Sequence, residues 1–188
     1  ITGGGTFKTQ WGYNSADLVT SMIYPGNNTE GAGETVTYTY YNQMTIDRVY
    51  GTSTYVDDTR YDAAGRVDLR TLGASSETQI QQDYQHYAWN TVNGAGRLSG
   101  IDSGRVSPPG PLQDLSYTYN AVGNITQIVD NLNSQTRAFG YDNLNRLTSE
   151  TIDGIPETTT YDPTSGNLAS KASVNYEYDD DFIFGGVL

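Results

Sequence analysis

The sequence predicts an all-β fold, a succession of antiparallel hairpins in a curved, meandering sheet, and three observations predict it. A seven-position frame recurs along the chain at intervals of roughly 20 to 30 residues. Aromatic residues spaced by two lead into it, and short runs of Gly, Pro, Asn and Asp separate the copies. The frame is plainest at Tyr141-Asp142-Asn143-Leu144-Asn145-Arg146-Leu147. It returns at Tyr13 to Val19, Tyr61 to Val67, Val92 to Leu98 and Tyr119 to Ile125, and with one residue inserted at Tyr161 to Leu168.

Each frame position has a physical reason. The second holds Asn14, Asp62, Asn93, Asn120, Asp142 and Asp162. Such a side chain bonds the backbone two residues on and favours the start of a type I turn. The fifth position then needs positive φ. Gly65, Gly96 and Gly123 supply it without steric cost, as does Gly166 in the lengthened copy, while Asp17 and Asn145 belong to the few other types that tolerate it. A type I turn followed by a left-handed residue is a common three-residue hairpin loop with a bulge. A strand should therefore enter at the Tyr and leave at the Leu, Val or Ile.

The flanks read as strands. Trp11 and Tyr13, Tyr117 and Tyr119, Phe139 and Tyr141, and Tyr176 and Tyr178 each share one face of an extended segment. In chain order, the glycine-rich opening Ile1 to Gly5 precedes a first hairpin to Ile23. Val36-Thr37-Tyr38-Thr39-Tyr40 is a strong strand, but the turn after it departs from the frame and that repeat reads as degenerate. Thr52 to Leu72 is a clear copy, Gly73 to Glu77 a link, and Thr78 to Ile101 a longer unit. Three parts are expected: partly degenerate hairpin repeats over 1–101, a Pro/Gly-rich loop over 102–114, and tighter repeats over 115–188 whose last copy, at Tyr178-Asp179, is cut short before Phe182-Ile183-Phe184.

Composition limits the function. Tyr supplies 16 aromatic side chains against 4 Phe and 2 Trp, so tyrosine is the main packing residue, a flat ring whose polar tip can stay wet. Ten basic residues against 22 acidic ones give a net charge of −12, which opposes phosphate backbones and anionic membranes. Nucleic-acid binding and membrane insertion are therefore not expected; no run approaches the length of a transmembrane helix. With no cysteine nothing is stapled. The chain opens on Ile1 without a secretory signal pattern and reads as an excised or processed segment.

The motifs Tyr61 to Val67, Tyr117-Thr118-Tyr119-Asn120-Ala121-Val122-Gly123-Asn124-Ile125 and Tyr141 to Leu147 resemble those of the Rhs or YD-repeat family, and the likeness spans nearly the whole chain. That family includes bacterial polymorphic toxins, toxin-complex subunits, wall-associated proteins and teneurins. The resemblance implies an open segment of a β-shell with a secreted or cell-surface origin and a structural, non-enzymatic role, often enclosing a C-terminal effector. Its implied partners are the rest of the same polypeptide and such an effector. The Asp-Pro-x-Gly-Leu ending of bacterial members does not occur, because Asp162-Pro163 is followed by Thr164-Ser165-Gly166, so no self-cleavage site is assigned.

Other chemistries fit these residues less well. Paired carboxylates beside aromatic rings would suit a glycosidase, but Asn stands wherever Asp62, Asp142 or Asp162 stands in other copies, and Asn replaces neither an acid nor a nucleophile. His86 lacks a supporting triad motif. Asp57-Asp58 and Asp179-Asp180-Asp181 lack the ligand spacing of a calcium loop, so no metal and no cofactor is expected. Asn27-Asn28-Thr29 and Asn124-Ile125-Thr126 match the glycosylation acceptor. Tyr84, Tyr87 and Trp89 are the candidate ligand-binding aromatics of an alternative function, a carbohydrate or cell-surface binding module. Arg66, Arg97 and Arg146 follow the turn each time, which pairing with a neighbouring repeat's carboxylate or stacking on a Tyr ring would explain.

Overall fold

The computed structural model describes residues 7–26, 32–75 and 79–178. The glycine-rich opening, the Asn27-Asn28-Thr29 acceptor, the end of the Gly73 to Glu77 link, the acidic run from Asp179 and the Phe182 to Phe184 tail lie outside the described residues.

The fold is all-β. Its strands are β1 (Gln10–Tyr13), β2 (Val19–Pro25), β3 (Ala32–Tyr40), β4 (Ile46–Tyr50), β5 (Thr54–Tyr61), β6 (Val67–Leu72), β7 (Ile80–His86), β8 (Leu98–Arg105), β9 (Gly110–Tyr119), β10 (Ile125–Asp130), β11 (Gln135–Tyr141), β12 (Leu147–Ile152), β13 (Ile155–Tyr161), β14 (Leu168–Lys171) and β15 (Val174–Asn175). They hydrogen-bond in the order of the sequence, with β1 and β15 at the two ends of an open antiparallel meander.

In six hairpins the entering strand ends on the frame tyrosine and the leaving strand begins on the apolar residue that closes the frame. Tyr13 faces Val19, Tyr40 faces Ile46, Tyr61 faces Val67, Tyr119 faces Ile125, Tyr141 faces Leu147 and Tyr161 faces Leu168, and a register shift lies beside every one of these pairs. This is the bulge that accompanies a left-handed turn residue. At the other end of the hairpins the links differ. Ile152 faces Ile155 across the two-residue loop Asp153-Gly154, both at positive φ (48° and 85°), the mirror-image turn that matches strand twist.

The chain divides into two compact units, Ile1–His86 with Gly100–Asp114, and Tyr87–Ser99 with Leu115–Leu188. The expected loop over 102–114 is mostly strand: β8 runs to Arg105 and β9 starts at Gly110, which leaves a four-residue turn holding Pro108 and Pro109. The prolines are absorbed because a proline is costly only where the ladder needs its N–H, and Pro111 sits near the start of its strand. Within the first unit Ser103 Oγ lies 3.2 Å from Gln113 Oε1 across this hairpin.

Neither unit builds a deep core. Among the described residues Val36, 5% exposed, is the one buried apolar side chain, and the buried polar residues are Thr59, Thr71, Ser103 and Thr159. Most sheet side chains are half-buried, the condition in which tyrosine packs well while its hydroxyl reaches a partner.

Candidate functional site

The repeated element is a turn held by a side chain. Asn14 Oδ1 accepts from the N–H groups of Ala16 and Leu18, Asp62 Oδ1 from Ala64 and Arg66, Asp142 Oδ1 from Leu144 and Arg146, and Asn120 Oδ1 from Val122, Gly123 and Asn124. In the lengthened copy Asp162 Oδ1 accepts from Thr164 N and Ser165 N. The fifth-position residues all have positive φ: Asp17 57°, Gly65 78°, Gly123 98°, Asn145 62°, and Gly166 76° after its insertion. In the two Asp–Arg copies the second carboxylate oxygen binds the arginine of the same turn, Arg66 Nε at 2.7 Å and Arg146 Nε at 2.7 Å. The arginine's carboxylate thus belongs to its own repeat, not to a neighbouring one, because four residues of tight turn bring the two side chains together.

Two copies differ from the reading of the sequence. The segment after Val36 to Tyr40 is a full copy: Tyr41 N donates to Thr45 O at 2.9 Å, Met44 N donates to Tyr41 O at 2.9 Å, and Met44 takes the left-handed position with φ 64°. The frame is hidden in the sequence because Tyr41 replaces the capping Asp or Asn and a methionine replaces glycine. The copy at Val92 to Leu98 is displaced. Tyr87 N donates to Arg97 O at 2.9 Å, so the hairpin closes around the nine residues between them and His86 stands where other copies have tyrosine. Asn93 is not the capping residue there. It has φ 62°, and its carbonyl accepts from Arg97 Nη1, while Gly96 keeps positive φ at 69°.

What joins one repeat to the next is the frame tyrosine. Its hydroxyl donates to the carbonyl of the residue that closes the preceding frame: Tyr40 to Val19, Tyr61 to Ile46, Tyr119 to Leu98, Tyr141 to Ile125 and Tyr161 to Leu147, at 2.7 to 3.0 Å. Each is a neutral hydrogen bond with a net contribution of about 1 kcal/mol. Burial pushes the Tyr119 and Tyr141 hydroxyls above the ordinary tyrosine range, which keeps them protonated donors. Arginine adds to the clasp, since Arg146 lies 4.2 Å from the Tyr161 ring centroid and Arg97 lies 5.7 Å from that of Tyr119.

The candidate aromatics divide between the units. In the first, Tyr84 donates to Gln82 Oε1 at 3.2 Å. In the second, Tyr87 donates to Tyr117 O at 2.8 Å and meets the Tyr119 ring edge-on at 6.4 Å. Trp89 is 66% exposed, with its ring against Gly96, where a Cβ would fall 2.2 Å from the indole.

The turn carboxylates carry a pH dependence. Asp62 is held below the usual carboxylate range chiefly by the Arg66 side chain, Asp142 by the Arg146 N–H and Asp162 by the Ser165 N–H. A depressed folded-state pKa contributes stability that is present above the unfolded value, about 3.9 for aspartate, and is lost as pH falls through the folded one. The melting temperature should hold from neutral pH towards that value and then fall. An Asp62→Asn/Asp142→Asn chain keeps backbone caps of the kind Asn14 and Asn120 make. It should melt slightly lower at neutral pH and lose less on acidification, and an unchanged acid limb would count against this origin.

Comparison with known proteins places the arrangement. The RHS Repeat family model matches residues 119–160. No curated protein matches the sequence. Among solved structures, the crystal structure of TcdB2-TccC3-Cdc42 is 19% identical, with a TM-score of 0.67 over 90% of this chain and 9% of that one. TcdB2-TccC3 without its hypervariable C-terminal region is 20% identical, with a TM-score of 0.69 over 90% of this chain and 9% of that one. A Photorhabdus luminescens Tc holotoxin pore is 19% identical, with a TM-score of 0.67 over the same shares. The likeness is one of fold, and the chain spans about a tenth of the length of these neighbours.

Proposed function

On the premise that this is a chain of the Rhs/YD-repeat family, we propose that it is a non-enzymatic segment of a repeat-built shell, a wall that encloses or presents an effector outside the cell. One observation carries this reading: the element that recurs is spent on continuity. The hydroxyls of Tyr40 and Tyr61 in the first unit and of Tyr119, Tyr141 and Tyr161 in the second each bind the preceding frame's closing carbonyl. The aspartates that acid chemistry would need have their oxygens engaged in their own turns, as at Asp62 and Asp142. One fold neighbour is a Tc holotoxin pore, which supports an extracellular setting, and the neighbours' names, which join several components, support a partner beyond this segment.

A wall segment leaves edge strands that further repeats would cover. Small-angle X-ray scattering with light scattering on the 188-residue chain tests the proposal. A compact monomer of this length has a radius of gyration of roughly 16 Å. The expected result is a clearly larger value or concentration-dependent association. A monodisperse monomer at the compact value would overturn the wall reading and favour a self-contained binding module.

A further inference from the structure

The turn of repeat Tyr40 to Ile46 and the nine-residue loop closed by Tyr87 and Arg97 share a feature that the other turns lack. A tyrosine follows the entering strand directly, and its ring meets the next frame tyrosine edge-on: Tyr41 with Tyr61 at 6.5 Å and 89°, Tyr87 with Tyr119 at 6.4 Å and 79°. They differ at the residue before the closing apolar position. In one it is Arg97, whose guanidinium lies over the Tyr119 ring and against the left-handed Gly123, where a Cβ would come 2.5 Å from Arg97 Nη2. In the other it is Thr45. The counterpart of Gly123 is Gly65, and a Cβ there would meet nothing within 4 Å. A third turn shows the same filling, because Arg146 stacks over Tyr161 and donates to Gly166 O at 3.3 Å.

Where the arginine is missing there is a cleft of roughly 560 Å³, lined by Tyr41, Gln43, Thr45, Arg60, Tyr61 and the Asp62–Gly65 turn. The charged groups around it are arranged about carboxylates. Asp58 accepts from Tyr41 and from Arg60 Nε, Asp62 pairs with Arg66, and Asp47 accepts from Thr39 on β3. With Asp47, Asp58 and Asp62 against Arg60 and Arg66, the surroundings carry one net negative charge, within a chain of net charge −12.

We propose that this cleft receives the guanidinium of an arginine side chain carried by a partner polypeptide, stacked on Tyr61 and aimed at the Gly65 carbonyl. The chain itself supplies the template: Arg97 and Arg146 fill this place beside Tyr119 and Tyr161, and where threonine is encoded the Tyr41–Tyr61 pair and the open Gly65 remain. A planar cation over a tyrosine face gains electrostatic attraction, and a carbonyl beside it accepts one of the five N–H donors. This inference goes beyond the wall reading and stands on the cleft alone.

The test is a nuclear magnetic resonance titration of the 188-residue chain with N-acetyl-argininamide and, separately, with the uncharged N-acetyl-citrullinamide and with maltotriose. Saturable shifts centred on the Gly65 amide and the Tyr61 ring are expected with the arginine compound, with binding of the citrulline compound weaker by about threefold or more. Thr45→Arg should supply the missing guanidinium internally and abolish the shifts. Absence of saturable shifts, equal binding of the citrulline compound, saturation by maltotriose alone, or undiminished shifts in a folded Thr45→Arg chain would each overturn the proposal. Should Thr45→Arg fail to fold, the discrimination between the two amides by the unaltered chain decides.

Discussion

Replacing Tyr119 by alanine is expected to destabilise the second unit by about 3 kcal/mol, the low end of what removing a buried aromatic side chain costs. Three interactions end together. The hydroxyl bond to Leu98 O at 2.8 Å is lost, a net contribution of about 1 kcal/mol. The edge-on contact with Tyr87 goes as well, and such pairs contribute about 0.5 to 1.5 kcal/mol beyond area burial. Arg97 loses the ring beneath it, a contact of about 0.5 to 1 kcal/mol at a partly exposed site. The ring is half-buried, so its transfer from water adds less than a core tyrosine's would. Tyr119→Phe separates the parts by removing the hydroxyl alone, and should cost about 1 kcal/mol. Urea unfolding of the three chains measures both. If alanine costs no more than phenylalanine, the ring is not what anchors one repeat to the next.

The hairpins were legible because the turn is encoded locally. An Asx side chain, a residue tolerant of positive φ and a flanking strand lie within seven positions, and register follows from the turn. The strand ends at Tyr61, Tyr141 and Tyr161 are fixed in that way. The turn at Tyr41 was not legible by the same rule, since Met44 adopts φ 64° without being Gly, Asn or Asp. Strand pairing on both sides overrides its local preference, and the remaining trace in the sequence is the six-residue step from Tyr40 to Ile46. The displaced loop before β8 shows the converse. Asn93 and Gly96 mimic the frame, but the hairpin closes from Tyr87.

The clasp itself depends on which strands become neighbours. Nothing near Tyr161 in the sequence announces that Leu147 O will accept its hydroxyl, because that carbonyl is brought there by an intervening hairpin. The regularity of Arg66, Arg97 and Arg146 was visible, and stacking on tyrosine is the cause shared by Arg97 and Arg146. The carboxylate of the same turn, the cause shared by Arg66 and Arg146, is a four-residue contact that turn geometry decides.

Gly123→Val carries the second large effect, and its argument compares two glycines. Gly65 and Gly123 hold the same turn position with φ 78° and 98°. A β-branched residue resists such a backbone at either site, at about 1 kcal/mol or more. Their surroundings differ, because a Cβ at Gly65 meets open space and one at Gly123 lies 2.5 Å from Arg97 Nη2. Valine at 123 must therefore also push Arg97 away from the Tyr119 ring. The expected cost is about 2 kcal/mol at Gly123 and about 1 kcal/mol at Gly65, each read from urea unfolding of the single variants. Equal costs would mean that Arg97 moves aside without loss and that its stacking contributes nothing. If neither variant melts lower, the left-handed turn position does not constrain this fold, and the frame marks composition without geometry.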